Sequence, residues 1–256
     1  IRALAAGSAS IAELDLEHVG RLKSSRLREL DEAADAFNRM TTGLRWFETY
    51  VPQQLVRRLM ARETPVESEH REITVMFTDI VGFSTLSEHM PAAETAAMLN
   101  EHFAILVDCI EAEGGTVDKY IGDSVMAFWE PDDSGVNVDR ALRAARLIRQ
   151  RVTEDNIIRR RENRVAPRVR IGVHTGDAIV GNIGAPGRIN YTLVGDAVNV
   201  AARLEQLSKT VGAESDAKIL ISDTTAALAE DREGLIHSGT HEIRGRDGSI
   251  EVWSLA

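Results

Sequence analysis

An α+β fold, arranged as an α/β sandwich, is predicted for most of this 256-residue chain by three observations. From residue 70 onward, short apolar runs with strand character alternate with amphipathic helical stretches. One strand hairpin falls between two helices, the order of a ferredoxin-like split sheet with its helices on one face. Two aspartates, Asp79 and Asp123, each sit in a turn at the end of an apolar strand, beside Gly82 and Gly122. Strand-borne carboxylates next to flexible glycines suit hard divalent cations held against a polyphosphate, which points to nucleotide chemistry.

The elements follow from periodicity and punctuation. Leu30, Ala33, Phe37, Met40, Leu44, Phe47 and Val51 recur at steps of three and four, which fits either a dimerising coiled-coil seam or one amphipathic helix docked on its own domain. Pro52 is expected to break or restart that helix. Gln53 to Met60 reads as a short amphipathic helix and Ala61 to Arg71 as a polar linker. Ile73 to Phe77 is a buried strand. Helical spacing runs from Pro91 to Ala112 through Ala96, Leu99, Phe103, Leu106, Val107 and Ile110, and Gly114-Gly115 ends it. Thr116 to Tyr120 pairs with Val125 to Trp129 as a hairpin.

Asp139 to Val152 is a further amphipathic helix, and the run Arg159-Arg160-Arg161 reads as a solvated helix face or loop because the chain as a whole is acidic. Arg168 to His174 and Ala178 to Ile183 are expected as two strands joined at Thr175-Gly176-Asp177. Ala197 to Leu207 is helical, Lys218 to Ser222 a strand and Asp223 to Ala229 a short helix. Gly239 to Ile243 and Ser249 to Leu255 close as a terminal hairpin around Gly245 to Gly248.

Composition narrows the function classes. A 43% hydrophobic content can fill one catalytic core with an extension. A formal net charge of -10 argues against neutralising a nucleic-acid polymer. Cys109, the single cysteine, has no disulfide partner in the chain and reads as a small buried hydrophobe. No window approaches the ~18 apolar residues of a membrane span, and a soluble fragment of something longer is expected. His174 is expected to make a structural hydrogen bond, and Phe128 and Trp129 to be core residues.

Four segments, Phe77-Thr-Asp-Ile-Val-Gly-Phe-Ser84, Gly122-Asp-Ser-Val-Met-Ala-Phe128, Ile171-Gly-Val-His-Thr-Gly176 and Val194-Gly-Asp-Ala-Val-Asn-Val-Ala-Ala-Arg-Leu-Glu205, together resemble the class III nucleotidyl cyclase catalytic domain. The resemblance covers residues 70–256. Leu30-Asp-Glu-Ala-Ala-Asp-Ala-Phe-Asn-Arg-Met40 resembles the second helix of a HAMP signal-relay domain, so residues 1–43 read as a partial HAMP-like segment and 44–69 as a coupling helix and linker.

The resemblance implies an adenylate cyclase that forms 3',5'-cyclic AMP and pyrophosphate from ATP with two Mg2+ or Mn2+ ions per site. Asp79, Asp123 and the carbonyl of Ile80 would hold the ions, and Gly82, Phe83 and Ser84 would meet the triphosphate through backbone N–H groups. Lys119 and Thr192 match the purine-reading positions. Lysine with threonine implies adenine, since an ammonium donates to N1 of adenine and repels the protonated N1 of guanine. Threonine at this position also resembles a bicarbonate-stimulated subgroup. Asn199 would orient the ribose and Arg203 would stabilise charge on the α-phosphate; they lie four apart on one helix face. Arg246 stands where the family carries a lysine against the terminal phosphates, with a solvated hairpin tip as the alternative.

In the family the carboxylates and the base, ribose and phosphate readers come from different subunits, so a homodimer with two composite sites is expected. The HAMP-like segment implies an upstream transmembrane sensor, with this chain on the cytoplasmic side of an inner membrane. A guanylate cyclase, an inactive cyclase-like module and a diguanylate cyclase or polymerase-like palm are the competing readings.

Overall fold

The structure, a computed structural model, describes residues 2–12, 18–50, 68–131, 137–185, 188–212, 214–242 and 249–255. They divide into two compact units, Ile1–Val66 and Glu67–Ala256.

The first unit holds α1 (Arg2–Ala12) and α2 (Arg28–Tyr50). Glu29 and Asp31 in the first turn of α2 complement its dipole. Phe37 and Val19 form a small apolar cluster with Leu4, Ile11, Leu22 and Leu44. The connector is fixed on α2 by polar clamps: the Asn38 side chain accepts from the N–H of Leu22 and donates to its carbonyl, both at 2.9 Å. Arg45 donates to the carbonyl of Val19 at 2.7 Å. The heptad-like run is therefore divided. Phe37 and Leu44 pack inward, while Leu30 and Met40 stay 39% and 49% exposed. The Phe47 side chain, Val51, Pro52 and the stretch 53–60 lie outside the described residues.

The second unit is built on one 8-stranded sheet. Its strands are β1 (Glu69–Ile80), β2 (Thr116–Ile121), β3 (Ser124–Trp129), β4 (Val169–Ala185), β5 (Arg188–Val194), β6 (Ala217–Ser222), β7 (Leu235–Glu242) and β8 (Ser249–Leu255). Their order is β2-β3-β1-β4-β6-β8-β7, with β5 on β4. The first four strands thus follow the split βαββαβ arrangement. The helices are α3 (Phe83–Glu88), α4 (Ala92–Ala112), α5 (Val138–Arg161), α6 (Asp196–Leu207) and α7 (Asp223–Leu228).

Alternation along the strands buries apolar side chains on both faces of the sheet. Met76, Val125, Ala127, Trp129, Ile171 and Val173 point to the face covered by α4 and α5, where Leu106, Cys109, Ile110 and Leu142 are buried. Ile73, Val75, Met126 and Phe128 point the other way, to Ala197 and Ala201 of α6. The helices therefore flank both faces of the sheet and not one. A β-carbon at Gly172 would lie 2.2 Å from the Ala201 carbonyl oxygen and 2.3 Å from the Glu205 nitrogen, so only glycine lets α6 rest directly on the β4 backbone.

Other expectations change for physical reasons. The two strands around Thr175-Gly176-Asp177 are one continuous β4, because β1 extends back to Glu69 and pairs with it throughout, Thr74 opposite Thr175 and Glu72 opposite Asp177. β5, which carries Thr192, was not expected; it folds back on the far half of β4 from Ile179↔Val194 to Ala185↔Arg188. β7 begins at Leu235, earlier than Gly239. Helix α5 runs on to Arg161, and Arg159 is 2% exposed where a solvated position was expected. Its guanidinium pairs with Asp155 one turn back and with Glu101 of α4 at 2.8 Å. Buried Cys109, Phe128 and Trp129 fill the core as expected, and His174 Nδ1 hydrogen-bonds Ser222 Oγ at 2.7 Å.

His102 on α4 is buried at 2% exposure, and its Nε2 has no hydrogen-bond partner among the described residues. Burial, helped by the Arg159 charge, lowers its pKa from 6.5 to about 4. A histidine held neutral in the fold contributes stability that is full above its unfolded pKa and is lost as pH falls through the folded one. His102→Gln should therefore remove an acid-side loss of roughly 3 kcal/mol between about pH 6.5 and 4. Urea titrations of both proteins across that range check this; equal slopes of stability against pH would refute it.

Candidate active site

Asp79 lies one residue from the end of β1, and Asp123 lies in the β2–β3 turn, where Gly122 takes a left-handed φ of 64°. Antiparallel pairing of β1 with β3, Thr78 opposite Val125, carries the two carboxylates to the same end of the sheet. They are interlocked by hydrogen bonds: the Ile80 N–H donates to Asp123 Oδ2 at 3.1 Å, and Ser124 Oγ donates to Asp79 Oδ1 at 3.1 Å. Burial first, and the Asp79 charge second, raise the pKa of Asp123. Two neighbouring carboxylates with this mutual repulsion are a ready site for a cation. Among the described residues no group of three or more His, Cys, Asp or Glu side chains could hold a metal. Any ion here would take its remaining ligands from backbone carbonyls such as that of Ile80, from water and from phosphate oxygens, the habit of Mg2+.

Gly82 adopts φ 71° and α3 starts directly after it, its first hydrogen bond running from the Leu86 N–H to the Gly82 carbonyl at 3.0 Å. The N–H groups of Phe83 and Ser84 precede that ladder and face no helical acceptor.

Arg170 and Glu205 are site residues that sequence reasoning missed. Both side chains are 10% exposed. Arg170 Nε donates to Glu205 Oε1 at 2.8 Å, and its Nη2 forms an ion pair with Asp79 Oδ2. Burial, with Asp79 close by, lifts the Glu205 carboxyl to about 7 against the pull of Arg170. The alternation of an arginine between Val169 and Ile171, both wholly buried, was the available signal: a charge in a core strand needs partners.

Lys119 and Thr192 are brought together, although β2 and β5 are not paired. Thr192 Oγ1 donates to Asp118 Oδ2 at 2.9 Å, and Lys119 Nζ meets the same oxygen at 3.1 Å. Asn199 is exposed and Arg203 half-buried on α6, four apart as expected. Neither makes a hydrogen bond or ion pair among the described residues, whereas Ala197, Val200, Ala201 and Leu204 of the same helix are buried. Arg246 lies outside the described residues. Among the described residues no hydrogen bond or ion pair joins Asp79 or Asp123 to Lys119, Thr192, Asn199 or Arg203.

The family model of the adenylate and guanylate cyclase catalytic domain matches residues 66–256. Adenylate cyclase 1 of Rhizobium meliloti (strain 1021) is 34% identical over 241 residues, 91% of this chain and 35% of that protein. An adenylate cyclase of Anabaena cylindrica is 32% identical, across 100% of this chain and 53% of its own length. The chain therefore spans about a third to a half of these relatives. The structure of a bacterial light-regulated adenylyl cyclase superposes with a TM-score of 0.78 at 28% identity, covering 90% of this chain and 66% of that one. The chain belongs to the adenylate and guanylate cyclase catalytic domain family.

Removing the cation that joins Asp79 to Glu205 leaves Glu205 buried and Asp79 half-buried without a counter-charge, so Arg170→Met should cost about 3 kcal/mol of stability. Denaturant unfolding measures this. A midpoint unchanged from the parent chain would show that the network carries no structural weight.

Proposed function

We propose that this family member is an adenylate cyclase that converts ATP to 3',5'-cyclic AMP and pyrophosphate at sites shared by two copies of the chain. The observation that carries the reading is the interlocked pair Asp79 and Asp123, followed by a turn in which the N–H groups of Phe83 and Ser84 precede the first helical hydrogen bond. Asp79, Asp123 and the Ile80 carbonyl would hold two Mg2+ or Mn2+ ions. An ion held by these residues would supply acidity to the ribose 3'-hydroxyl and neutralise the departing pyrophosphate. In the reaction the 3'-oxygen forms a bond to the α-phosphorus as the bond to the pyrophosphate oxygen breaks in line, and the hydroxyl proton passes to solvent water.

Every other contribution is assigned to the protein. Phe83 and Ser84 orient the triphosphate through their N–H groups, with Gly82 opening room for it. Lys119 donates to N1 of adenine and Thr192 meets its 6-position. Asn199 orients the ribose, and the Arg203 guanidinium stabilises charge on the α-phosphate. Arg246 is assigned to the terminal phosphates.

The two-copy arrangement is what the family resemblance implies, and exposed apolar side chains around the base readers support it. Tyr120 and Ile121, directly after Lys119, are 52% and 49% exposed; Ile189 and Val194, flanking Thr192, are 59% and 49%. A second copy would cover them. The unit over residues 1–66 fits a HAMP-like relay, its connector clamped by Asn38 and its helix α2 keeping Leu30, Met40 and Trp46 exposed for a partner helix. In the longer protein it would couple an upstream membrane sensor to a cytoplasmic catalytic unit; no described helix here is long and apolar enough to cross a membrane. Bicarbonate is a further proposed stimulant, from Thr192 alone.

Mixing chains carrying Asp79→Ala with chains carrying Asn199→Ala should restore cyclic AMP formation, because each mixed pair keeps one intact site. Each variant alone should be inactive. Mixtures as inactive as their components would contradict shared sites.

A further inference from the structure

A threonine hydroxyl can donate or accept, so Thr192 by itself cannot tell the 6-amino group of adenine from the 6-oxo group of guanine. What stands behind that hydroxyl decides its polarity. Asp118 stands there. Its side chain is 1% exposed, and its Oδ2 receives both the Thr192 hydroxyl at 2.9 Å and the Lys119 ammonium at 3.1 Å. Its Oδ1 has no partner among the described residues.

The backbone is shaped for this contact. Consecutive strand residues point to opposite faces, yet the side chains of Asp118 and Lys119 meet. The β2–β3 register shifts at this point: Val117 faces Ala127 and Lys119 faces Met126, leaving Asp118 as the extra residue of a β-bulge. A bulge re-aims a side chain at the cost of local ladder pairing. Here it turns a carboxylate toward a strand 74 positions away in sequence. Burial raises the Asp118 pKa, and the Thr192 hydrogen bond and the Lys119 charge oppose that rise.

We propose that Asp118 sets the purine specificity of the site by fixing the hydrogen-bond polarity of Thr192. An ionised carboxylate only accepts, so the Thr192 hydrogen is committed to Asp118, and the lone pairs of Oγ1 are what the base meets. That oxygen accepts from the amino group of adenine and repels the carbonyl oxygen of guanine or hypoxanthine. The same carboxylate tethers the Lys119 ammonium, so N1 donor and 6-position acceptor are aligned by one residue that itself does not touch the base. Asp118 is a positioning residue, and the inference rests on Lys119 and Thr192 being the base readers of an adenylate cyclase.

The test is kcat/KM of the full chain with ATP, GTP and inosine triphosphate, the last carrying the 6-oxo group without the 2-amino group of guanine. In Asp118→Asn the side chain can turn its amide N–H toward Thr192 and release the hydroxyl to donate. The ratio of ATP to inosine triphosphate should then fall about tenfold to a hundredfold, chiefly through KM. Thr192→Val should lower the ratio similarly, and Thr192→Ser should keep it. Parallel losses with both triphosphates and an unchanged ratio in Asp118→Asn would mark Asp118 as merely structural and overturn the proposal while leaving the adenylate reading intact. Should Asp118→Asn fail to fold, an unchanged ratio in Thr192→Val overturns it equally. A parent chain that prefers GTP, or cyclises neither nucleotide, overturns the underlying reading as well.

Discussion

The arrangement of the catalytic unit depends on how closely negative charge is gathered at one end of the sheet. Asp79 is held between the Arg170 guanidinium on one side and Ser124 on the other, and the pKa of Asp123 is raised by burial first and by the Asp79 charge second. Helix α6 enters the same network through Glu205. Gly172 permits this, since a side chain there would collide with the α6 backbone and lift Glu205 away from Arg170. A charge problem thus fixes the height of a helix, and the helix presents Asn199 and Arg203 on its outer side.

The two faces of the sheet have divided tasks. The face under α4 and α5 is a large apolar core in which Cys109, Trp129 and Leu142 are fully enclosed. The face under α6 is apolar near Ile73 and Phe128 and ends in the polar network at Asp79. Strand alternation separates them: Met76 and Thr78 face one way, Val75, Phe77 and Asp79 the other. The polar network at Asp79 therefore sits on the less heavily covered face, where side chains of α6 and the β2–β3 hairpin meet it.

Much of this was legible in the sequence because glycine marks it. Asp79 and Asp123 stood out beside Gly82 and Gly122, and the i, i+4 spacing of Asn199 and Arg203 placed them on one helix face without coordinates. What was not legible depends on pairing. β4 looked like two strands because Thr175-Gly176-Asp177 has turn composition; its partner β1, extending to Glu69, supplies the hydrogen bonds that keep it straight. Arg159 looked solvated on net-charge grounds, which say nothing about a guanidinium whose partners are Asp155 on its own helix and Glu101 on the next. Asp118 could not be singled out at all, since regular alternation puts it on the opposite face from Lys119 and only the bulge brings them together.

The central claim is that Asp79 and Asp123 hold divalent cations against the triphosphate of ATP. Its most direct measurement is cyclic AMP released from ATP by the purified chain and by Asp123→Asn, each with Mn2+ and with chelator. The account predicts product from the parent chain with Mn2+, and none with chelator or from the variant. Product from Asp123→Asn at the parent rate, or from the parent chain in chelator, would contradict it.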